Sequence, residues 1–283
     1  SVEKDVDEQK LITTIKAHFI QNGFGVGAQF PAHTTLLFLL YYYAKHKDKE
    51  VREILDKMLE VMATRGLHDH LQGGFYRYCV DGSWTIPHFE KMLYDQAMHL
   101  WVYSLAYSVL KRQEYKTIVE KIVRCLEDTY ADGMYYAAHD ADTDHQEGET
   151  YLWAVEDLRV HLTTAEYEQF AALYELENNC EGKIHLLKKR KGFLPEIEQK
   201  LLRIRKQRTQ PFTDTKFVTS WNALLGIGFL IAYRSLDDGV LKAKGVLLFK
   251  TILAKHYHEG VLAHSSFQGR LQRGEFLEDY AAL

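Results

Sequence analysis

Proline is scarce in this chain, with four residues among 283. So few helix breakers leave room for long uninterrupted helices. Cysteine is scarcer still: Cys79, Cys125 and Cys180 lie far apart, with no CxxC among them. An odd count without metal-site spacing argues against a disulfide framework or a zinc site. Three reduced thiols imply a reducing, cytoplasmic setting. No apolar run reaches the roughly 18 residues of a membrane span, and charged Ser1 to Lys10 has no signal-peptide character, so no membrane contact is expected. Positive charge is not in excess, because 35 Lys and Arg face 39 Asp and Glu for a net charge of −4. A nucleic-acid groove is therefore not expected. Phosphate loops, dinucleotide fingerprints and nucleophile elbows are missing too, and no cofactor is implied.

What is present is a globular composition, 46% hydrophobic and 26% charged, with 18 tyrosines and 14 phenylalanines. That suits a thick core or a cleft for flat-faced ligands. The length fits one large domain or two modest ones. The first residue is not Met, which points to a longer parent chain.

Apolar residues recur at helical spacing along most of the sequence. Val6, Leu11, Ile12, Ile15 and Phe19 mark a first helix, stopped by Gly23. Further helices are expected at 36–44, 51–63, 88–111, 115–130, 194–207, 220–235 and 240–255, with short ones at 156–161 and 165–173. An aromatic-rich hairpin is expected over 134–153, and the opening turn of one more helix at 278–283. Serial helical hairpins without a strict repeat period predict an all-α fold, an (α/α) toroid with small β-hairpins on its loops.

The densest block runs from Gly73-Gly74-Phe75-Tyr76-Arg77-Tyr78 through Asp81 and Trp84 to Pro87-His88-Phe89-Glu90-Lys91-Met92-Leu93-Tyr94-Asp95-Gln96-Ala97. Pro87 suits a helix's first turn. On a helix opening there, Phe89, Leu93, Ala97 and Leu100 share one face, and His88, Lys91, Met92, Asp95 and His99 the opposite one. Such a polar stripe is either a solvated face or, on an inner helix of a toroid, a cavity lining.

Together with Gly23-Phe24-Gly25, Phe30-Pro31, Asp140-Ala141-Asp142, Glu147-Gly148, Tyr151-x-Trp153, Glu181-Gly182-Lys183, Asp214-x-Lys216, Ser220-Trp221-Asn222 and Leu277 to Ala281, this block resembles the spermatogenesis-associated, thioredoxin-domain-containing family. The blocks follow in order over nearly the whole chain. Gln29, Cys79 and Glu278 depart from the family pattern, where Lys, Ser and Asp are usual. The resemblance implies a six-hairpin-glycosidase-like (α/α)6 barrel, similar to N-acylglucosamine 2-epimerases. It also implies that residues 1–283 are a partial barrel, with the thioredoxin-like domain and the closing C-terminal helices absent. An open apolar side near Phe276 to Leu283 would then be covered by those helices or by a partner chain.

Candidate site residues follow. His88 is suited to a proton shuttle near neutral pH, with Glu90 and Asp95 as carboxylate partners. Glu90 is expected to be partly buried and paired with Arg77. Arg77 and Tyr78 arrive on the glycine-rich loop as donors, and Lys91 continues the His88 face. Trp84, Tyr94 or Trp221 would floor a sugar cavity. Asp214, Lys216 and Asn222 would stand at its mouth, although Ser220 and Trp221 also read as a helix cap and a core residue. Asp140, Asp142 and Asp279 complete the carboxylate pool.

The acidic loop 140–149 fails as a calcium site, because the sixth and twelfth places of an EF-hand loop hold His145 and Tyr151. It reads as a solvated hairpin tip or a sugar-contacting loop, and no metal is expected. His68-x-His70 and His256-x-His258 read as surface pairs. A carbohydrate ligand is thus expected, with epimerase/isomerase-like or glycosidase-like chemistry, the latter needing two carboxyl groups roughly 5 to 10 Å apart. The alternative is a non-catalytic binding or scaffold barrel.

Overall fold

The computed structural model describes residues 7–20 and 22–283. Val6 lies outside them. Eleven helices are found among the described residues: α1 Glu8–His18, α2 His33–His46, α3 Lys49–Thr64, α4 Leu93–Leu110, α5 Gln113–Glu127, α6 Val155–His161, α7 Thr164–Leu173, α8 Pro195–Arg205, α9 Thr219–Leu236, α10 Gly239–His256 and α11 Leu277–Ala282. Among these residues no helix is long and apolar enough to cross a membrane.

Three helical hairpins share one connection. α2, α4 and α9 each end on a left-handed residue, Lys47, Lys111 and Asp237, with φ of 57°, 56° and 56°. The next residue, Asp48, Arg112 or Asp238, is the N-cap of α3, α5 or α10. Asp48 and Asp238 accept from the first-turn N–H groups with their carboxylates. A left-handed stop followed by a capped start reverses the chain within two residues.

α4 packs between α2 and α9, and α11 follows on α9. α3, α5 and α10 lie behind their hairpin partners, which gives the two-layered inner and outer arrangement of an α/α toroid. The α4–α9 seam is close because Gly228 has no side chain: a Cβ there would stand 3.1 Å from the Ala97 carbonyl oxygen. Leu36, Leu59, Leu100, Tyr103, Ile122, Phe229 and Ile252 fill the main core.

A smaller core of Trp153, Leu158, Phe170, Tyr174, Ile184 and Leu201 sits under α6 to α8. Two buried ionic clusters tie this part to the barrel. Asp69 accepts from Lys91 at 2.7 Å and from Arg205 at 3.0 and 2.7 Å. Glu198 accepts from Lys121 and the Tyr174 hydroxyl, both at 2.6 Å, with Lys188 at 3.2 Å.

The largest departure from the sequence reading concerns the Pro87 block. The long helix begins at Leu93, not His88. Pro87–His88 pairs instead with Tyr78–Cys79, and Lys91–Met92 with Ala138–His139, which pairs in turn with Thr213–Asp214. Amphipathic spacing over six residues did not decide helix here, because neighbouring strands supplied the backbone partners. Gln96 adds to this by binding both backbone groups of Phe75 at 2.8 and 2.7 Å. The expected hairpin over 134–153 is divided among four pairings, of which Asp142–Thr143 with Gln146–Glu147 is one. Strands at Tyr257–His258, Val261–Phe267 and Arg270–Arg273 were not anticipated.

The histidine pairs are corrected as well. His68 and His70 are buried, with their Nδ1 atoms 3.1 Å apart. His256 is buried between Thr219 and Ser266, and only His258 is exposed. Phe276, Leu277, Tyr280 and Leu283 are exposed.

Candidate functional site

The N-terminal end of inner helix α4 meets Arg77, next to the Tyr78–Cys79/Pro87–His88 hairpin, and on its other side the start of α9. Arg77 donates from Nη1 to Glu90 Oε2 at 2.9 Å and from Nε to the Tyr94 hydroxyl at 3.1 Å. Its backbone N–H also donates to the Glu90 carbonyl at 2.9 Å. The Arg77–Glu90 pairing expected from sequence is therefore present. Tyr94, in the first turn of α4, meets Trp221 of α9 edge-on at 5.0 Å.

His88 faces Tyr78 across the hairpin, and the rings stack at 5.3 Å. Phe30 stacks on the other aromatic, Tyr78, at 4.6 Å. The His88 Nδ1 lies 2.6 Å from Glu147 Oε1, and Nε2 lies 3.8 Å from Glu90 Oε2. A carboxylate only accepts, so the ring proton of the neutral imidazole sits on Nδ1 and Nε2 keeps its lone pair. Glu147 comes from the loop read as a hairpin tip. Asp144 and His145, with φ of 52° and 61°, turn that hairpin. Gly148, with φ +75°, lets it lie on Phe89, since a Cβ there would stand 2.4 Å from the ring.

Asp95 follows Tyr94 and is buried. Its Oδ2 has no hydrogen-bond partner. Burial pushes its carboxyl up to about 8, Glu90 adds to the rise, and Arg77 opposes it. Burial thus favours the protonated, neutral form of the Asp95 carboxyl.

The cluster thus unites Arg77, Tyr78, His88, Glu90, Asp95 and Trp221 of the expected residues. Others lie elsewhere. Trp84 is fully buried, with Nε1 donating to the Asn22 carbonyl at 3.0 Å, and offers no face to a ligand. Lys91 is buried against Asp69 rather than continuing a cavity-facing stripe. Asn222 is buried and binds the N–H and carbonyl of Tyr135 at 2.8 and 3.0 Å. Asp279 is buried too, accepting from the Ser220 N–H and bonded to His264, both at 2.9 Å. Asp140 and Asp142 are exposed, and Asp140 accepts from the N–H groups of its own turn. Asp214 pairs with Lys216 at 3.0 Å.

Glu147 and Phe30 were missed as site residues, although both belong to blocks that carried the family resemblance. Among the described residues, one group has metal-compatible spacing: His264, Glu278 and Asp279, with ligand atoms within 4.8 Å of one another.

Comparison with known proteins bears on this arrangement. No protein-family model matches the chain. Mouse spermatogenesis-associated protein 20 is 27% identical over 321 residues, covering 92% of this chain and 40% of the relative. The human protein of the same name is 27% identical over 260 residues, covering 74% and 33%. The chain is homologous to spermatogenesis-associated protein 20. It spans about a third to two fifths of the length of these spermatogenesis-associated relatives.

Solved structures resemble it in fold. An unsaturated glucuronyl hydrolase from Streptococcus agalactiae superposes with a TM-score of 0.58 at 11% identity, covering 99% of this chain and 64% of that one. A D-mannose isomerase gives a TM-score of 0.56 at 11% identity, covering 91% and 53%. The chain thus shares the α/α toroid fold of these structures.

Proposed function

We propose that residues 1–283 correspond to barrel structure of a carbohydrate-directed protein, and that sugars bind at the α4–α9 end beside His88. The observation that carries this is His88, held by Glu147 with Nε2 free, next to the Arg77–Glu90–Tyr94 cluster at the start of α4. The fold it shares with a D-mannose isomerase and a glucuronyl hydrolase supports the substrate class. Half-buried Trp221 and Tyr94 and the Phe30–Tyr78 stack supply flat faces for a pyranose ring.

The chemistry this favours is isomerase- or epimerase-like. His88 Nε2 takes the proton from the carbon next to an open-chain sugar's carbonyl. Asp95 gives its proton to the carbonyl oxygen as an enediol forms, and return of the two protons completes the exchange. Arg77, held by Glu90 and Tyr94, orients the pair. A hydrolase reading rests on Glu90 and Asp95 as two carboxyls in differing protonation states. It is the second choice, because Glu90 is already bound by Arg77. A reducing, cytoplasmic setting fits three free thiols.

The test is deuterium exchange at C2 of D-mannose, D-glucose and N-acetyl-D-glucosamine in D2O, followed by NMR. Exchange abolished by His88→Ala is expected. Binding without exchange in the wild type would favour the scaffold reading, and release of nitrophenol from nitrophenyl glycosides the hydrolase. Neither binding nor turnover would sink the carbohydrate assignment.

A further inference from the structure

A second cleft lies on the other side of the Lys91–Met92, Ala138–His139, Thr213–Asp214 sheet. Cross-strand partners share a face, so Lys91, His139 and Thr213 project one way and Met92, Ala138 and Asp214 the other. Consecutive residues Glu90 and Lys91 likewise engage different partners, Arg77 and Asp69. On the Lys91 side is a cleft of about 280 Å³, lined among others by Gln72, Asp128, His139, Tyr151, Lys206 and Gln210. That is near the lower end of small-ligand sites, about 300 Å³.

The charges around it are already engaged. Lys206 Nζ lies 3.0 Å from both carboxylate oxygens of Asp128, and Gln72 Nε2 donates to the same carboxylate at 2.7 Å. The groups left over are neutral. His139 bonds through Nδ1 to the Thr213 hydroxyl at 3.0 Å, while its Nε2 is buried without a partner. Tyr151 is only 5% exposed, and its hydroxyl makes no hydrogen bond among the described residues. Gln210 donates from Nε2 to the carbonyls of Arg205 and Arg208, which leaves its Oε1 toward solvent or a ligand.

Buried polar atoms in native structures are nearly always paired, so His139 Nε2 calls for a partner. The Tyr151 hydroxyl, not cut off from solvent, is free to take one. An apolar ligand would satisfy neither. An anion would meet no uncommitted cation on the lining. A neutral ring bearing several hydroxyls fits both constraints, each hydroxyl being donor and acceptor at once. The apolar edges of Tyr151 and Pro211 would meet its C–H face.

We propose that this cleft is a second carbohydrate site, taking a neutral, hydroxyl-rich ring of about one hexose and separate from the His88 cluster. It does not depend on turnover at that cluster.

The test uses the full chain and non-reacting probes: methyl α-D-glucopyranoside, methyl α-D-mannopyranoside, myo-inositol and D-glucuronate, by saturation-transfer NMR and titration. At least one neutral probe is expected to bind. Tyr151→Phe, which keeps the ring and removes one hydroxyl, should weaken it about three- to tenfold, the effect of one neutral hydrogen bond. Gln210→Leu at the rim should do the same and decides the matter if Tyr151→Phe fails to fold. His88→Ala should leave this binding unchanged. The proposal is overturned if no neutral probe binds, if D-glucuronate alone binds, or if binding survives both cleft variants. Loss in His88→Ala would also overturn it, by placing the sugar at the first site. Loss of His88-dependent exchange with binding at the cleft intact would instead count against the proposed function alone.

Discussion

His88 Nδ1 and Glu147 Oε1 lie 2.6 Å apart across 59 residues of sequence. One residue sits on a two-residue strand and the other on a hairpin arm. The contact fixes the imidazole tautomer, and so decides which nitrogen faces a substrate.

His88→Ala and Glu147→Gln should therefore act on function and hardly on stability. The pair is half-exposed, where such contacts are worth about 0 to 1 kcal/mol. Melting temperatures within a few degrees of wild type are expected, with sugar exchange lost in the first and strongly reduced in the second. A collapse of the melting temperature in His88→Ala would show a structural role instead.

Asp95→Asn should behave differently from the near-neutral change that a solvated stripe would give. The folded carboxyl sits at about 8 against an ordinary value of 3.8. Its contribution is present in full below about 4 and is lost as pH rises through 8, because the unfolded chain releases this proton first. Asparagine removes that burden. The variant should be the more stable protein at pH 8 to 9, by up to about 5 kcal/mol, with the difference shrinking toward pH 4. Thermal melts of both proteins across that range check the sign. Activity of the wild type should fall above about pH 8.

Acid should unfold the protein early. Burial holds His33 down to about 3 and His139, His185 and His256 to about 4. The unfolded chain takes up these protons near 6.5, so stability present above that pH is lost as pH falls toward 4. These shifts correspond to about 3 to 5 kcal/mol each. Urea midpoints measured at pH 7, 6 and 5 should drop steeply. A flat profile would contradict the burial of these rings.

Lys91→Met tests the correction at that position. Removing the cation leaves Asp69 buried with Arg205 alone, and breaking a buried pair costs about 3 to 5 kcal/mol. Loss of stability is expected even without ligand. A surface-like change near zero would restore Lys91 to the ligand-facing role.

The thiols should be sluggish. Burial raises the thiol of Cys79, Cys125 and Cys180 alike, which keeps the reactive thiolate scarce. Ellman's reagent should react fully only in denaturant, with Cys180, the half-buried one, leading in the native state. No insulin reduction is expected.

The toroid was legible because its cause is local. Long apolar periodicity, few prolines and polar two-residue links such as Asp237-Asp238 are properties of neighbouring residues, and α2, α3, α5, α9, α10 and the C-terminal end of α4 fall close to where spacing put them. Arg77–Glu90 was legible for the same reason, the two residues lying on adjacent arms of one turn. The segment Pro87 to Met92 was not. Its helical spacing is real, but Ala138–His139, almost fifty residues later, offers the backbone a sheet partner instead. Side-chain fate followed the same division. Sequence alone determined which residues carry charge, rings and hydroxyls. Only the tertiary structure decided that Lys91 and Trp84 are buried, that Glu147 reaches His88, and that burial raises the Asp95 carboxyl. Those outcomes depend on long-range packing, which sets how much water each group retains and which charge stands opposite it.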